Sequence, residues 1–419
     1  MKTPFKLAAA AALVFSATTA QAATLTISCG TVGQDYEFCK KAVAEWSQKT
    51  GHEVKQLSIP ASSTDILGLY RKMFAAKSKE VDIVVVDVVW PGMIANHLLD
   101  LSSYTKGEEK KQFPAIVKNN TVDGKLVAMP WFTDAGLMYY RKDLLEKYKL
   151  SVPKTWDDFE KAASTIQEGE RKAGDKDFQG FVWQGKAYEG LTCGALEWVA
   201  GNGGGSIVDA ATGDITINNP KAAAALDRAA KWIGTISPQG VLNYAEEDAR
   251  GVFQNGKAAF MRNWPYVWAL AQGSDSRVKD KVGVAPVPGG ESGQAAALGG
   301  WQLAVSKYSS NPEIAADLVM YLTNEAMQKR RAIEGAYNPT YPDLYKDKEV
   351  LAANPFFADL LPVLSNAVPR PSTVTGMKYN EVSQNFWNAA HDVLSGHSTG
   401  ADAVKKLEGK LKRVQRGKW

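Results

Sequence analysis

Histidine and cysteine are scarce in this chain of 419 residues: four of the first (His52, His97, His391 and His397) and three of the second (Cys29, Cys39 and Cys193). No histidine stands in a ligand-spaced pair with a cysteine, which argues against a zinc site, and no metal or cofactor is expected. Strong charge of one sign is missing too. The net charge is +4, of which Lys2 and Lys6 supply two, leaving +2 for residues 23–419. That balance excludes a nucleic-acid binder working through a basic field. After residue 22 no apolar run is long enough to span a bilayer. Internal repeats, low-complexity tracts and long linkers are also absent. GTVG at 30–33 lacks both the GK[ST] ending and the G-x-G-x-x-G spacing of phosphate loops, so it reads as a plain strand-to-helix turn. Neither G-x-S-x-G nor H-E-x-x-H occurs. What remains is an ordinary globular composition, 45% hydrophobic and 22% charged, in a chain long enough for two domains.

The first 22 residues have three parts in order. MKTPFK is a positive n-region, LAAAAALVFSA an apolar h-region, and Ala20-Gln21-Ala22 an A-x-A cleavage site. Residues 1–22 are therefore expected to be a signal peptide cleaved after Ala22. No cysteine follows at a lipoprotein position, so the mature chain is expected to be soluble in a bacterial periplasm. An oxidising compartment permits a Cys29–Cys39 bridge, while three small buried thiols fit the sequence equally well.

The mature chain opens with a strand at 23–28, the turn GTVGQD, and an amphipathic helix from about Tyr36 to Thr50. His52–Ile59 alternates like a second strand, and Ser62-Ser63-Thr64 caps the next helix. VDIVVVDVVW (81–90) is a β-branched run typical of a strand buried on both faces. Strand, helix, strand, helix, buried strand predicts an α/β doubly wound fold, with ligand bound beyond the carboxyl ends of the strands. Further on, FMRNWPYVW (260–268) sets Trp264, Tyr266 and Trp268 at alternate positions. Alone, that spacing fits a buried strand, a helix face or a stacking surface for a flat ligand.

Longer phrases decide between them. VDVVWPG (86–92), AMPWFTDAGLMYYRKDLLEKY (128–148), GFVWQGKAYEGLTC (180–193), FMRNWPYVW, LGGWQLAVSKYS (298–309) and NAVPRP (366–371) occur in one order along one chain. Together they resemble the extracytoplasmic solute-binding proteins of ABC sugar importers, within them the trehalose/maltose-binding branch, across essentially the whole mature chain. The resemblance implies a two-lobed α/β fold of the second periplasmic type, with three crossings and a cleft between the lobes. Matched onto this sequence, residues 23–131 and 298–336 form the first lobe, and residues 132–297 and 337–419 the second.

It also implies an α-linked disaccharide as ligand, permease subunits of an importer as partner, a monomeric receptor, and no enzymatic activity. A pyranose offers apolar C–H faces to aromatic rings and a belt of hydroxyls to carboxylates, arginine and asparagine. The matched positions follow that chemistry. Trp264, Tyr266 and Trp301 offer faces, whereas Trp268 is expected in the core. Glu37, Asp87 and Asp134 accept hydroxyl donors, and Arg370 donates from the second lobe. Phe132 stands where the family more often has tyrosine. Gly299 and Gly300 permit close backbone approach. Thr64 or Asp65 takes the place of an arginine that the family carries on its second helix, and Tyr188 and Glu189 complete the set. A secreted glycoside hydrolase would also combine rings with carboxylates, as a pair flanking one bond. Incubation with disaccharide separates the two, since a receptor returns its ligand intact.

Overall fold

The computed structural model describes residues 22–30 and 32–419; the signal segment expected at the N-terminus lies outside them apart from Ala22. The strands in chain order are β1 (Thr24–Ser28), β2 (Glu53–Leu57) and β3 (Ile83–Asp87), then a small hairpin of β4 (Thr121–Val122) and β5 (Lys125–Leu126), then β6 (Met129–Ala135). β7 (Leu137–Arg141), β8 (Gln179–Val182), β9 (Ala258–Asn263) and β10 (Val282–Pro286) follow, and β11 (Leu298–Val305) comes last. Two larger sheets result. One has the order β2-β1-β3-β11-β6 and the other β10-β7-β9-β8. β1 pairs in parallel with β2 and β3, as the alternation of strands and helices predicts. β11 enters antiparallel between β3 and β6, because the chain returns to this sheet from the other one. Its insertion explains why β3 is buried along its whole length and can be built from Ile, Val, Val, Val and Asp.

Alternation on β7 and β9 divides the core. Leu137, Tyr139 and Met261 join the cluster that fills the first sheet's lobe, while Met138 and Phe260 join the cluster beneath the helices of the second. Opposite faces of one strand thus serve two cores. The crossings lie side by side. Gly136 links β6 to β7 and donates its N–H to the Ala297 carbonyl, and Thr133 N donates to the Asn338 carbonyl. β6 stays in the first sheet as far as Ala135, so the boundary placed at 131/132 falls inside a strand. Residues 337–419 also divide. Tyr345, Val350, Phe357 and Tyr379 pack into the first cluster, while Val368, Val374 and the residues from Val382 onward pack into the second. Tyr341, Tyr345 and Phe356 hold this stretch down through Gln112, Phe113 and Trp268, contacts between residues too far apart in the chain to show in local pattern.

Cys29 and Cys39 are bridged, tying the end of β1 to the helix Asp35–Thr50 across a sequence separation of 10. Closing a loop of that length removes about 2.7 kcal/mol of unfolded-chain entropy. Replacing both cysteines by serine should therefore lower the unfolding free energy of the ligand-free protein by about 2–3 kcal/mol in denaturant titrations. No loss would mean that the bridge does not form in the protein in solution.

Candidate functional site

Three adjacent strands of the first sheet end together. The register sets Trp301 of β11 against Asp87 of β3 on one side and Phe132 of β6 on the other. A bulge between Trp301 and Gln302 breaks the pairing there and turns the tryptophan toward the space above the strand ends. Trp90 backs it edge-on at 5.5 Å. Gly300 has φ +132, and a Cβ on it would stand 2.7 Å from the Phe132 carbonyl, so no other residue fits without moving β6. A Cβ on Gly299 would come within 3.0 Å of the Trp264 ring.

From the second lobe, β9 ends at Asn263 and the chain turns through Trp264, Pro265 and Tyr266 into a short helix. The Arg262 guanidinium lies 4.1 Å from the Trp264 ring centroid. It covers one face of the indole while being held in two hydrogen bonds by Glu197, at 3.0 and 2.5 Å. Tyr266 donates its hydroxyl to Glu247 at 2.6 Å and stacks near Tyr337. Trp268 packs on Phe356, away from this group, as expected of it. Of the three alternating rings, Trp264 and Tyr266 line a cleft between the sheets and Trp268 does not.

The cleft holds about 800 Å³ of space not filled by atoms, a figure that includes open solvent. Asp87, Phe132, Asp134, Gly299, Gly300, Trp301, Arg370 and Glu189 line it, all of them named from sequence. Arg370 is reached because residues 367–371 run beside the second crossing, with Val368 N bonded to the Ala296 carbonyl at 2.7 Å and Leu298 N to the Val368 carbonyl. Its guanidinium joins the lobes, donating to Asp87 at 3.0 Å and to Glu189 at 2.7 Å. Glu189 opens the helix Glu189–Gly201, where the N-terminal end of the helix dipole favours an acid, and it also accepts from Tyr379 and Ser383. Burial nonetheless holds the Glu189 carboxyl above the usual range, against the pull of Arg370.

Three sequence expectations need correction in position. Glu37 is exposed and does not line the cleft; Asp35 does. The helix begins at Asp35, and two residues along it turn a side chain by about 200°, to the opposite face. Asp35 accepts from Arg331 at 2.5 Å, and the Arg331 guanidinium is itself stacked on Trp131 at 4.0 Å and Tyr337 at 4.3 Å. Thr64 stands at the rim. Its hydroxyl accepts the Glu189 N–H at 3.3 Å, a second bond between the lobes, while Ser63 and Ile66 face inward. Tyr188 is buried behind Glu189 and outside the lining.

Sequence reading also missed Glu246, Tyr337 and Cys193 in the lining. Glu246 begins a helix in an exposed-looking stretch of three acids, and only the fold shows that it accepts from Trp264 Nε1. Tyr337, just after the third crossing, has a buried hydroxyl with no protein partner. Burial pushes the Cys193 thiol up to about 12, so it serves as a small apolar lining group. Asp134 differs from the other acids. Burial raises its carboxyl well above the usual range, helped by Asp35 and Asp87 and opposed by Arg262 and Arg331. Among the described residues no group of three or more His, Cys, Asp or Glu is placed to hold a metal ion, and no helix is long and apolar enough to cross a membrane.

A two-lobed α/β fold with a cleft lined by rings, carboxylates and arginine is that of a bacterial solute receptor. The chain belongs to the bacterial extracellular solute-binding proteins, whose family pattern matches residues 30–329. Over 407 residues it is 54% identical to the probable ABC transporter-binding protein of Deinococcus radiodurans, covering 96% of each chain. It is similar to maltose-bound MalE3 of T. maritima, with 42% identity, a TM-score of 0.89, and coverage of 94% of this chain and 100% of that one. The maltodextrin-binding protein MdxE of Bacillus subtilis is 32% identical over 55% of this chain and 53% of its own length. The relatives from D. radiodurans and B. subtilis are named as binding proteins.

Proposed function

We propose that the protein is the periplasmic receptor of an ABC importer for an α-linked disaccharide of the trehalose, maltose or sucrose type. In this reading the signal segment is removed after Ala22, and the receptor works as a monomer that delivers its sugar to permease subunits. The observation that carries the reading is the meeting of aromatic rings with carboxylates and an arginine in one cleft. Trp264 and Trp301 present faces, and Asp87, Asp134, Glu189 and Arg370 present acceptors and donors. Asp35, Glu246 and Tyr337 join that set, Thr64 takes a rim role, and Glu37 leaves it. The names of the 54% and 42% identical relatives support the importer and the sugar respectively. Sugar bound to one lobe shifts the population toward the closed arrangement, in which Arg370 and Thr64 contact the other lobe.

Tryptophan fluorescence titrated with trehalose, maltose, sucrose and glucose, followed by calorimetry, tests it. A saturable micromolar response to one disaccharide, returned intact after prolonged incubation, is expected. Release of glucose would favour the hydrolase reading, and silence across the panel would remove the disaccharide. Trp264→Ala should weaken that binding about 30-fold or more, the usual cost of truncating a central tryptophan anchor. Affinity close to wild type would remove the stacking role.

A further inference from the structure

We infer that the cleft selects by charge: it admits disaccharides carrying a protonated amine, with the ammonium seated on Asp134, and rejects those carrying phosphate or carboxylate. The inference rests on the sugar-receptor reading above and narrows its ligand class.

Asp134 lines the cleft with 7% of its surface exposed, yet its carboxylate makes no hydrogen bond to any described residue. The three nearby guanidiniums are each committed elsewhere. Arg331 is bonded to Asp35, Arg262 to Glu197, and Arg370 to Asp87 and Glu189. The lining as a whole repeats this imbalance, with five carboxylates (Asp35, Asp87, Asp134, Glu189 and Glu246) against one arginine and no lysine. Glu246 accepts a hydrogen bond from the neutral Trp264 Nε1, and the cation that acts on it, Arg262, is itself bonded to Glu197. Buried without a partner, Asp134 is held toward its protonated form; a neutral sugar can only hydrogen-bond to that form, whereas an ammonium pairs with the carboxylate, the carboxyl proton passing to solvent. A sugar anion adds a like charge to the same enclosure. The carboxylates do not converge on a common point, since no group of three is placed to hold a metal ion, so a bare cation is not the fitting occupant.

Calorimetry on the mature chain would compare trehalose and maltose with their 2-amino-2-deoxy and 6-amino-6-deoxy forms and their 6-phosphates. Amines at two positions are used because the sugar's orientation in the cleft decides which one reaches Asp134. At least one amine should bind about ten-fold more tightly than its neutral parent, and the phosphates about 100-fold more weakly. Asp134→Asn should weaken the preferred amino sugar about ten-fold more than its neutral parent, bringing their affinity ratio to about one. Amines no tighter than their parents in the wild type, or a ratio unchanged in Asp134→Asn, would overturn the inference. The wild-type comparison decides on its own should the variant fold poorly. Neutral binding without an amine preference defeats this inference alone; no binding by any sugar defeats the receptor reading with it.

Discussion

Replacing Arg370 with alanine is expected to weaken disaccharide binding about 100- to 1,000-fold while lowering the melting temperature of the ligand-free protein far less. The guanidinium is buried between Asp87, at the end of β3, and Glu189, at the start of a helix in the other lobe. Removing it leaves two buried carboxylates facing each other, a change that costs about 3–5 kcal/mol when a buried pair is broken. In the proposed hinge-closure mechanism the cost falls mainly on the closed arrangement, because opening the cleft would let water reach both acids. Affinity includes the free energy of closing, so the penalty appears in the dissociation constant. Calorimetry would measure it, and small-angle scattering would show the ligand-free variant to be more open. An unchanged dissociation constant with a large fall in melting temperature would make Arg370 a purely structural residue.

Glu197→Gln should instead destabilise the ligand-free protein itself, by about 3 kcal/mol, seen as a fall of several degrees in calorimetric melting. Glu197 is buried, holds Arg262 in two bonds, and accepts the Ala297 N–H at 3.0 Å beside the second crossing. A Cβ on Gly136, at the first crossing, would collide with both members of this pair. The ion pair therefore sits beneath two of the three crossings and supports the Arg262 guanidinium on which Trp264 rests. Replacing Arg262 and Glu197 together by methionine should recover much of the stability but not the affinity, since the indole then loses its backing. Unchanged melting in Glu197→Gln would show the charge to be unnecessary there.

The residues named from sequence that the structure brings into the cleft stand at the ends of strongly patterned elements. Asp87 closes an all-buried β-branched strand, and Trp301, Gly299 and Gly300 lie in a phrase long enough to fix their register. Glu37 went astray because the expected helix start differed from the actual one by a single residue, enough to leave the choice between two acids on opposite faces undecided. Glu246 and Tyr337 were illegible for another reason. Each reaches the cleft through packing between segments distant in the chain, which leaves no periodic mark nearby. The cysteine pairing also needed the fold, since two thiols ten residues apart can bridge or stay free according to how strand and helix meet.

The place of β11 has a consequence for timing during synthesis. β3 finds its second neighbour only in Leu298–Val305, and β6 has no partner in this sheet until then. Made at roughly 5–20 residues per second, the chain waits on the order of 10–40 s between the appearance of β3 and that of the strand that completes the sheet. Over that interval the first sheet lacks the strand that joins β3 to β6. A polypeptide that must be threaded through a membrane before it folds gains from such a delay, and here the strand order itself imposes it.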